Sequence, residues 1–211
     1  MKKILTFVLA LMATTCFVHS AEEELELVVN HSPVTPVRST PSEASEQETQ
    51  LLFGEVCEVL EQRSSWTRIR STVDGQVGWV STKMVTPVSE EAISLLGNAA
   101  GVVAVPMTVA TDMKTGEKRM LTMGSRLYNY AQGTFEMLGK QYQIDASCVY
   151  EVKGERLEVK GEEIVRVAKT LLNVPYLWGG KNMMGYDCSG FVQTVYSVFG
   201  INLLRNAREQ V

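Results

Sequence analysis

Residues 185–191 read Gly-Tyr-Asp-Cys-Ser-Gly-Phe, and the side chain there that could do chemistry is Cys188. A thiol attacks a carbonyl only as its thiolate, so a nucleophilic cysteine needs surroundings that favour negative charge. The spacing predicts Cys188 in the first turn of a helix over 188–199. Phe191, Val192, Val195, Val198 and Phe199 make its apolar side, and Gly200 fits just past its end. Unpaired N–H groups and the dipole of such a turn favour a thiolate. Gly179, Gly180, Gly185 and Gly190 permit tight turns, and such a loop can aim N–H groups at a developing oxyanion. Asp187 and Ser189 flank the thiol with a carboxylate and a hydroxyl.

A cysteine nucleophile also needs a base, usually histidine, oriented by a third polar group. The sequence holds two histidines, His19 and His31. His19 falls in a stretch where Lys2 and Lys3 precede the apolar run from Ile4 to Val18, and small residues follow to Ala21. That is the pattern of a secretory signal peptide over residues 1–21. The run is shorter than the roughly 20 residues a membrane span requires, so no stable span is expected after cleavage. His31 lies in a polar segment far from Cys188 in sequence, and neither histidine fits the catalytic role.

Four cysteines are present. Cys16 would leave with the signal peptide, and an odd set remains: Cys57, Cys148 and Cys188. In an exported chain at least one of them must stay unpaired or pair with another chain. Cys57 and Cys148 alternate within strand-like runs and read as small buried apolar residues, with a Cys57–Cys148 disulfide as the alternative.

The elements that must position Cys188 are mixed. The chain is 45% hydrophobic and 21% charged with a net charge of −4, which supports ordinary globular cores. It carries no basic footprint for nucleic acid or anionic lipid. No His/Cys/Asp cluster has ligand spacing, so neither metal nor organic cofactor is expected. Residues 30–50 read as loops and short extended pieces. From there to Pro87 the pattern is β, with an Asp74-Gly75 hairpin signal. Residues 90–98 read as a short helical connector. The β pattern then resumes to about residue 160, and from Glu162 the period becomes helical over 163–173, ahead of Pro175.

Two resemblances follow from these segments. "PVRSTPS", "LLFGEVCEVLE", "SWTRIRS" and "DGQVGWVSTKMV" look like a bacterial SH3 domain. The stretch "PYLWGG…GYDCSGFVQTVY" resembles the opening half of an NlpC-type cell-wall cysteine peptidase, a papain-like family. The resemblance implies an α+β chain. One or two small SH3-like β-barrels, at 22–88 and 100–160, precede the N-terminal helical part of a papain-like domain at 161–211.

It also implies roles. Cys188 is the nucleophile, Tyr176 belongs to the active-site wall, and Asp187 and Ser189 contribute to substrate binding. Barrels ahead of such a core resemble γ-D-glutamyl-L-diamino acid endopeptidases, which act on peptidoglycan stem peptides. There a barrel carboxylate holds the substrate's free amine, and Glu55 is the candidate. Gln76 stands where those relatives often have an aromatic, and Leu204 stands in place of the proline of an "LPR" motif. In the family the catalytic histidine follows the cysteine by several tens of residues. A fragment inactive alone is therefore expected, with the apolar faces of both helices left uncovered. A non-catalytic, peptidoglycan-binding SH3-domain protein is the alternative.

Overall fold

The computed structural model describes residues 26–89, 91–93, 99–152 and 159–210. The expected signal peptide at 1–21 lies outside them, and so does most of the connector at 90–98, of which 91–93 are helical. Among the described residues no helix is long and apolar enough to cross a membrane.

Seven strands come first: β1 (Leu27–Asn30), β2 (Val34–Arg38), β3 (Gln47–Leu52), β4 (Val56–Arg63), β5 (Trp66–Ser71), β6 (Val77–Ser81) and β7 (Val85–Val88). They form one antiparallel sheet in the order β3-β2-β6-β5-β4-β1-β7. Alternation drives this: in β5, Thr67, Ile69 and Ser71 are buried while Arg68 and Arg70 are exposed. The predicted turn between β5 and β6 is present. Gly75 takes φ +73°, and the Asp74 carboxylate accepts the Gln76 N–H at 3.1 Å.

Seven more strands follow: β8 (Gly101–Val103), β9 (Met107–Asp112), β10 (Lys118–Thr122), β11 (Arg126–Ala131), β12 (Thr134–Met137), β13 (Lys140–Gln143) and β14 (Val149–Glu151). Their order is β10-β9-β13-β12-β11-β8-β14. This is the first order with seven added to every number, so the second sheet repeats the first. The turns after β3 and β10 also correspond. Phe53-Gly54-Glu55 matches Met123-Gly124-Ser125, with Gly54 at φ +81° and Gly124 at φ +88°. Each turn closes with a like hydrogen bond, Glu55 N–H to Leu52 O and Ser125 N–H to Thr122 O.

Three cores result. Val28, Val37, Leu51, Cys57, Ile69, Val80 and Val85 fill the first sheet. Leu27, Val29, Phe53 and Val56 turn outward from it and pack with Leu121, Leu127, Phe135 and Tyr142 of the second. The third core lies between two helices, α1 (Gly161–Lys169) and α2 (Cys188–Ser197). A short hairpin, β15 (Lys181–Asn182) and β16 (Gly185–Tyr186), runs between them.

Three expectations need correction. The first helix was expected to reach 173 but ends at Lys169, because the chain must turn before Pro175 and Asn173 takes φ +69°. The helix faces are not left bare. Val167, Leu171, Val195, Val198 and Phe199 are buried around Met123, and Tyr150 meets the Phe199 ring edge-on at 5.0 Å. The second sheet supplies this cover, leaving Val165 and Leu172 exposed. Cys148 is half-buried in a 3₁₀ turn rather than in a strand, and Cys57, Cys148 and Cys188 are all free thiols.

Candidate active site

Asp187 starts α2. Its backbone is extended (φ −89°, ψ 174°) and its carboxylate accepts the Gly190 N–H at 2.7 Å, which is N-capping. Cys188 is therefore the first residue of the helix, and it is exposed. The N–H groups of Cys188 and Ser189 lie outside the intrahelical ladder. A Cβ on Gly190 would collide with the Gly180 carbonyl oxygen, so only glycine lets the helix start lie this close to the loop before it.

Cys188 opens onto a cleft of about 330 Å³. Leu171, Leu172, Pro175, Tyr176 and Phe191 line it together with Asp187 and Cys188. Tyr176 is 67% exposed and bridges to Tyr186 through the backbone. Trp178, two residues on, is likewise exposed. The cleft is thus apolar and aromatic on one side and carries the thiol on the other.

Behind the thiol lies a buried polar seam. Both Asp187 oxygens meet the Arg205 guanidinium, and the Gly179 N–H adds a bond at 2.9 Å. Arg205 also donates to the Ser189 hydroxyl at 2.8 Å and to the Thr49 hydroxyl at 2.7 Å. Burial alone would push the Asp187 carboxyl up. The Arg205 hydrogen bonds and charge, with the Gly190 and Gly179 N–H groups, outweigh it and hold the carboxyl below its ordinary value. The expectation that this glycine loop offers N–H groups to an oxyanion is corrected at three positions. Those of Gly179 and Gly190 serve Asp187, and that of Gly180 serves the Leu177 carbonyl.

A second buried pair joins the segment to the first sheet. Glu55 is 4% exposed; its carboxylate accepts the Leu52 N–H at 3.0 Å and the Lys181 ammonium at 3.1 Å. Gln50 accepts from the Lys181 N–H at 2.8 Å and from the Asn182 amide at 2.7 Å. The tip of the β5–β6 hairpin reaches α2, where Gln193 donates to the Asp74 carboxylate at 2.9 Å.

Of the expected site residues, Tyr176, Asp187 and Cys188 meet at the cleft. Ser189 is buried against Arg205, and Glu55 is enclosed with Lys181. His31 is not among the residues that line the cleft. It bonds the Thr86 hydroxyl at 2.9 Å, and burial followed by the Arg119 charge pulls it below the ordinary histidine value. Thr49, Gln50, Lys181 and Arg205 were not foreseen. Arg205 had one available signal, its place in "LLR" after an amphipathic helix.

The fold has counterparts among known proteins. The fold is that of a solved NlpC/P60 family protein from Bacillus cereus ATCC 10987, with a TM-score of 0.77 at 17% identity, covering 87% of this chain and 76% of that one. Residues 173–211 match the NlpC/P60 family, and residues 37–84 match the bacterial dipeptidyl-peptidase SH3 domain. The chain is 24% identical over 184 residues to a gamma-D-glutamyl-L-lysine dipeptidyl-peptidase of Bacillus cereus, covering 79% of this chain and 55% of that enzyme. It is 26% identical over 178 residues to the like-named enzyme of Bacillus subtilis, covering 77% and 57%. The chain thus spans little more than half the length of these curated relatives.

Proposed function

We propose that this chain carries the nucleophile side of a peptidoglycan peptide hydrolase, a cysteine endopeptidase acting between γ-D-Glu and the diamino acid of stem peptides in the cell envelope. The observation that carries the reading is Cys188, exposed on the first turn of a capped helix and opening onto a cleft. The Cys188 thiolate adds to the γ-D-Glu carbonyl carbon. The C–N bond then breaks, the diamino acid leaves as an amine with one added proton, and a thioester remains. Water hydrolyses the thioester and restores the thiol. Tyr176 forms the cleft wall. Asp187 and Ser189 act from beneath the thiol, since Arg205 engages both. A substrate amine would reach Glu55 only by displacing Lys181.

The leaving amine needs a general acid, and neither histidine of the sequence serves. These 211 residues alone should therefore acylate without turning over an amide. An activated γ-thioester of L-Ala-D-Glu supplies its own leaving group and should acylate Cys188, as read by peptide mass. Acylation no faster than at Cys148 would refute the nucleophile assignment. Hydrolysis of L-Ala-γ-D-Glu-diaminopimelate by the chain, lost in Cys188→Ala, would refute its inactivity.

The two SH3-like sheets favour a second reading, murein binding without turnover. A murein pull-down that retains Cys188→Ala as well as the parent chain, with no acylation by the thioester, would select it.

A further inference from the structure

The seam behind Cys188 does not end within the helical segment. Thr49, on β3 of the first sheet, is buried, and its hydroxyl accepts the Arg205 Nε–H at 2.7 Å across 156 positions of sequence. The same guanidinium gives Nη1 to Asp187 Oδ1 at 3.1 Å and to Ser189 Oγ at 2.8 Å, and Nη2 to Asp187 Oδ2. One planar fork therefore grips the first sheet and the residues on either side of Cys188.

A guanidinium is rigid, so fixing Nε fixes the tilt of the whole plane. That tilt sets the direction from which Asp187 is held. Asp187 in turn ties Gly179, at the end of the loop, to Gly190, in the first turn of α2. Without the Thr49 oxygen, a buried Nε–H has lost its acceptor. The guanidinium must turn to find another, and its two-pronged hold on the helix cap loosens.

We infer that Thr49 is a positioning residue for Cys188, acting through Arg205 and Asp187, so that the first sheet is part of the nucleophile's cradle. The inference rests on the reading of Cys188 as nucleophile. Its test reads the thiol itself rather than peptide cleavage, so its failure is distinguishable from an error about substrate or turnover.

Thr49→Val keeps the branched shape and removes the acceptor, and Thr49→Ser keeps the hydroxyl. The measurement is the second-order rate of Cys188 alkylation by iodoacetamide in the full chain at pH 7, resolved by peptide mass. Cys148 in the same molecule is the reference, and the buried Cys57 reports unfolding. A loosened cap disorders the helix start that carries Cys188 and its free N–H groups, so Thr49→Val should slow Cys188 several-fold relative to Cys148. Thr49→Ser should restore the parent rate. In an Arg205→Lys background Thr49→Val should add nothing, because lysine cannot span both partners.

A Cys188 rate in Thr49→Val equal to the parent's overturns the inference. So does the same loss recurring in the Arg205→Lys background. Should Thr49→Val label Cys57, Arg205→Lys alone carries the test. It keeps the charge beside Asp187 and loses the Nε contact, and an unslowed Cys188 there is equally fatal.

Discussion

Asp187 is one residue from the thiol, yet its main partner is Arg205, and Asp187→Asn isolates that pairing. The substitution preserves size and removes the charge. An amide offers one acceptor oxygen where the carboxylate uses two, and its NH2 group faces the Arg205 donors. Arg205 is 3% exposed, so its cation would be left buried and unpaired. Breaking a buried ion pair from one side costs about 3–5 kcal/mol. For a chain of this size that corresponds to a fall of about 6–20 °C in Tm. The penalty depends on pH. Folded Asp187 titrates below its ordinary value, and the unfolded carboxyl titrates near about 3.9. Its stabilisation is therefore present above roughly pH 4 and is lost as pH falls through the lower, folded value. Thermal melts of parent and Asp187→Asn from pH 7 to pH 3 should show a wide gap at neutrality that narrows in acid. A Tm within about 1 °C of the parent at pH 7, or a gap independent of pH, would refute the reasoning.

Lys181→Met should cost about 3–5 kcal/mol in chemical denaturation, because Glu55 is then buried without its cation, while Glu55→Leu combined with Lys181→Met should cost clearly less than the sum of the single changes. Additive costs would mean the pair is not coupled. The Tyr186 hydroxyl is buried without a partner among the described residues, so Tyr186→Phe should match the parent or gain up to about 1–2 kcal/mol. A loss above that size would reveal a bond to that hydroxyl. Burial, followed by the Glu55 charge, pushes the Cys57 thiol far above its ordinary value, so at pH 8 Ellman's reagent should titrate Cys188 and leave Cys57 until the chain unfolds. Native labelling of Cys57 at a rate like that of Cys188 would contradict this.

What the sequence made legible was local. The Asp74-Gly75 turn, the helix opening at Cys188 and the alternation of β5 each depend on neighbours within a few residues. The seam was not legible. Thr49 meets Arg205 across 156 positions, and Glu55 meets Lys181 across 126. Such pairs depend on how separate units dock, and no periodicity encodes docking. Asp187 shows both sides of this. Its place before the thiol was plain, but four of its donors come from Arg205, Gly179 and Gly190, and only the last of these lies in its own helix. The uncovered helix faces failed for the same reason, since Met123 belongs to a sheet read as a separate barrel.

The matching turns of the two sheets bear on movement. Phe53-Gly54-Glu55 holds the C-terminal segment by an ionic clamp at Lys181, and Met123-Gly124-Ser125 holds it by an apolar pad under α1 and α2. The strand after the second turn also holds the first turn: in β11 the Arg126 N–H bonds the Phe53 carbonyl at 2.8 Å, and the Tyr128 hydroxyl bonds the Gly54 carbonyl at 2.8 Å. One structural device, used twice, thus forms a three-way bracket. Swinging either sheet against the other would have to break the clamp, slide the pad or part β11 from the first turn, so these contacts tie the thiol and its cleft to both sheets.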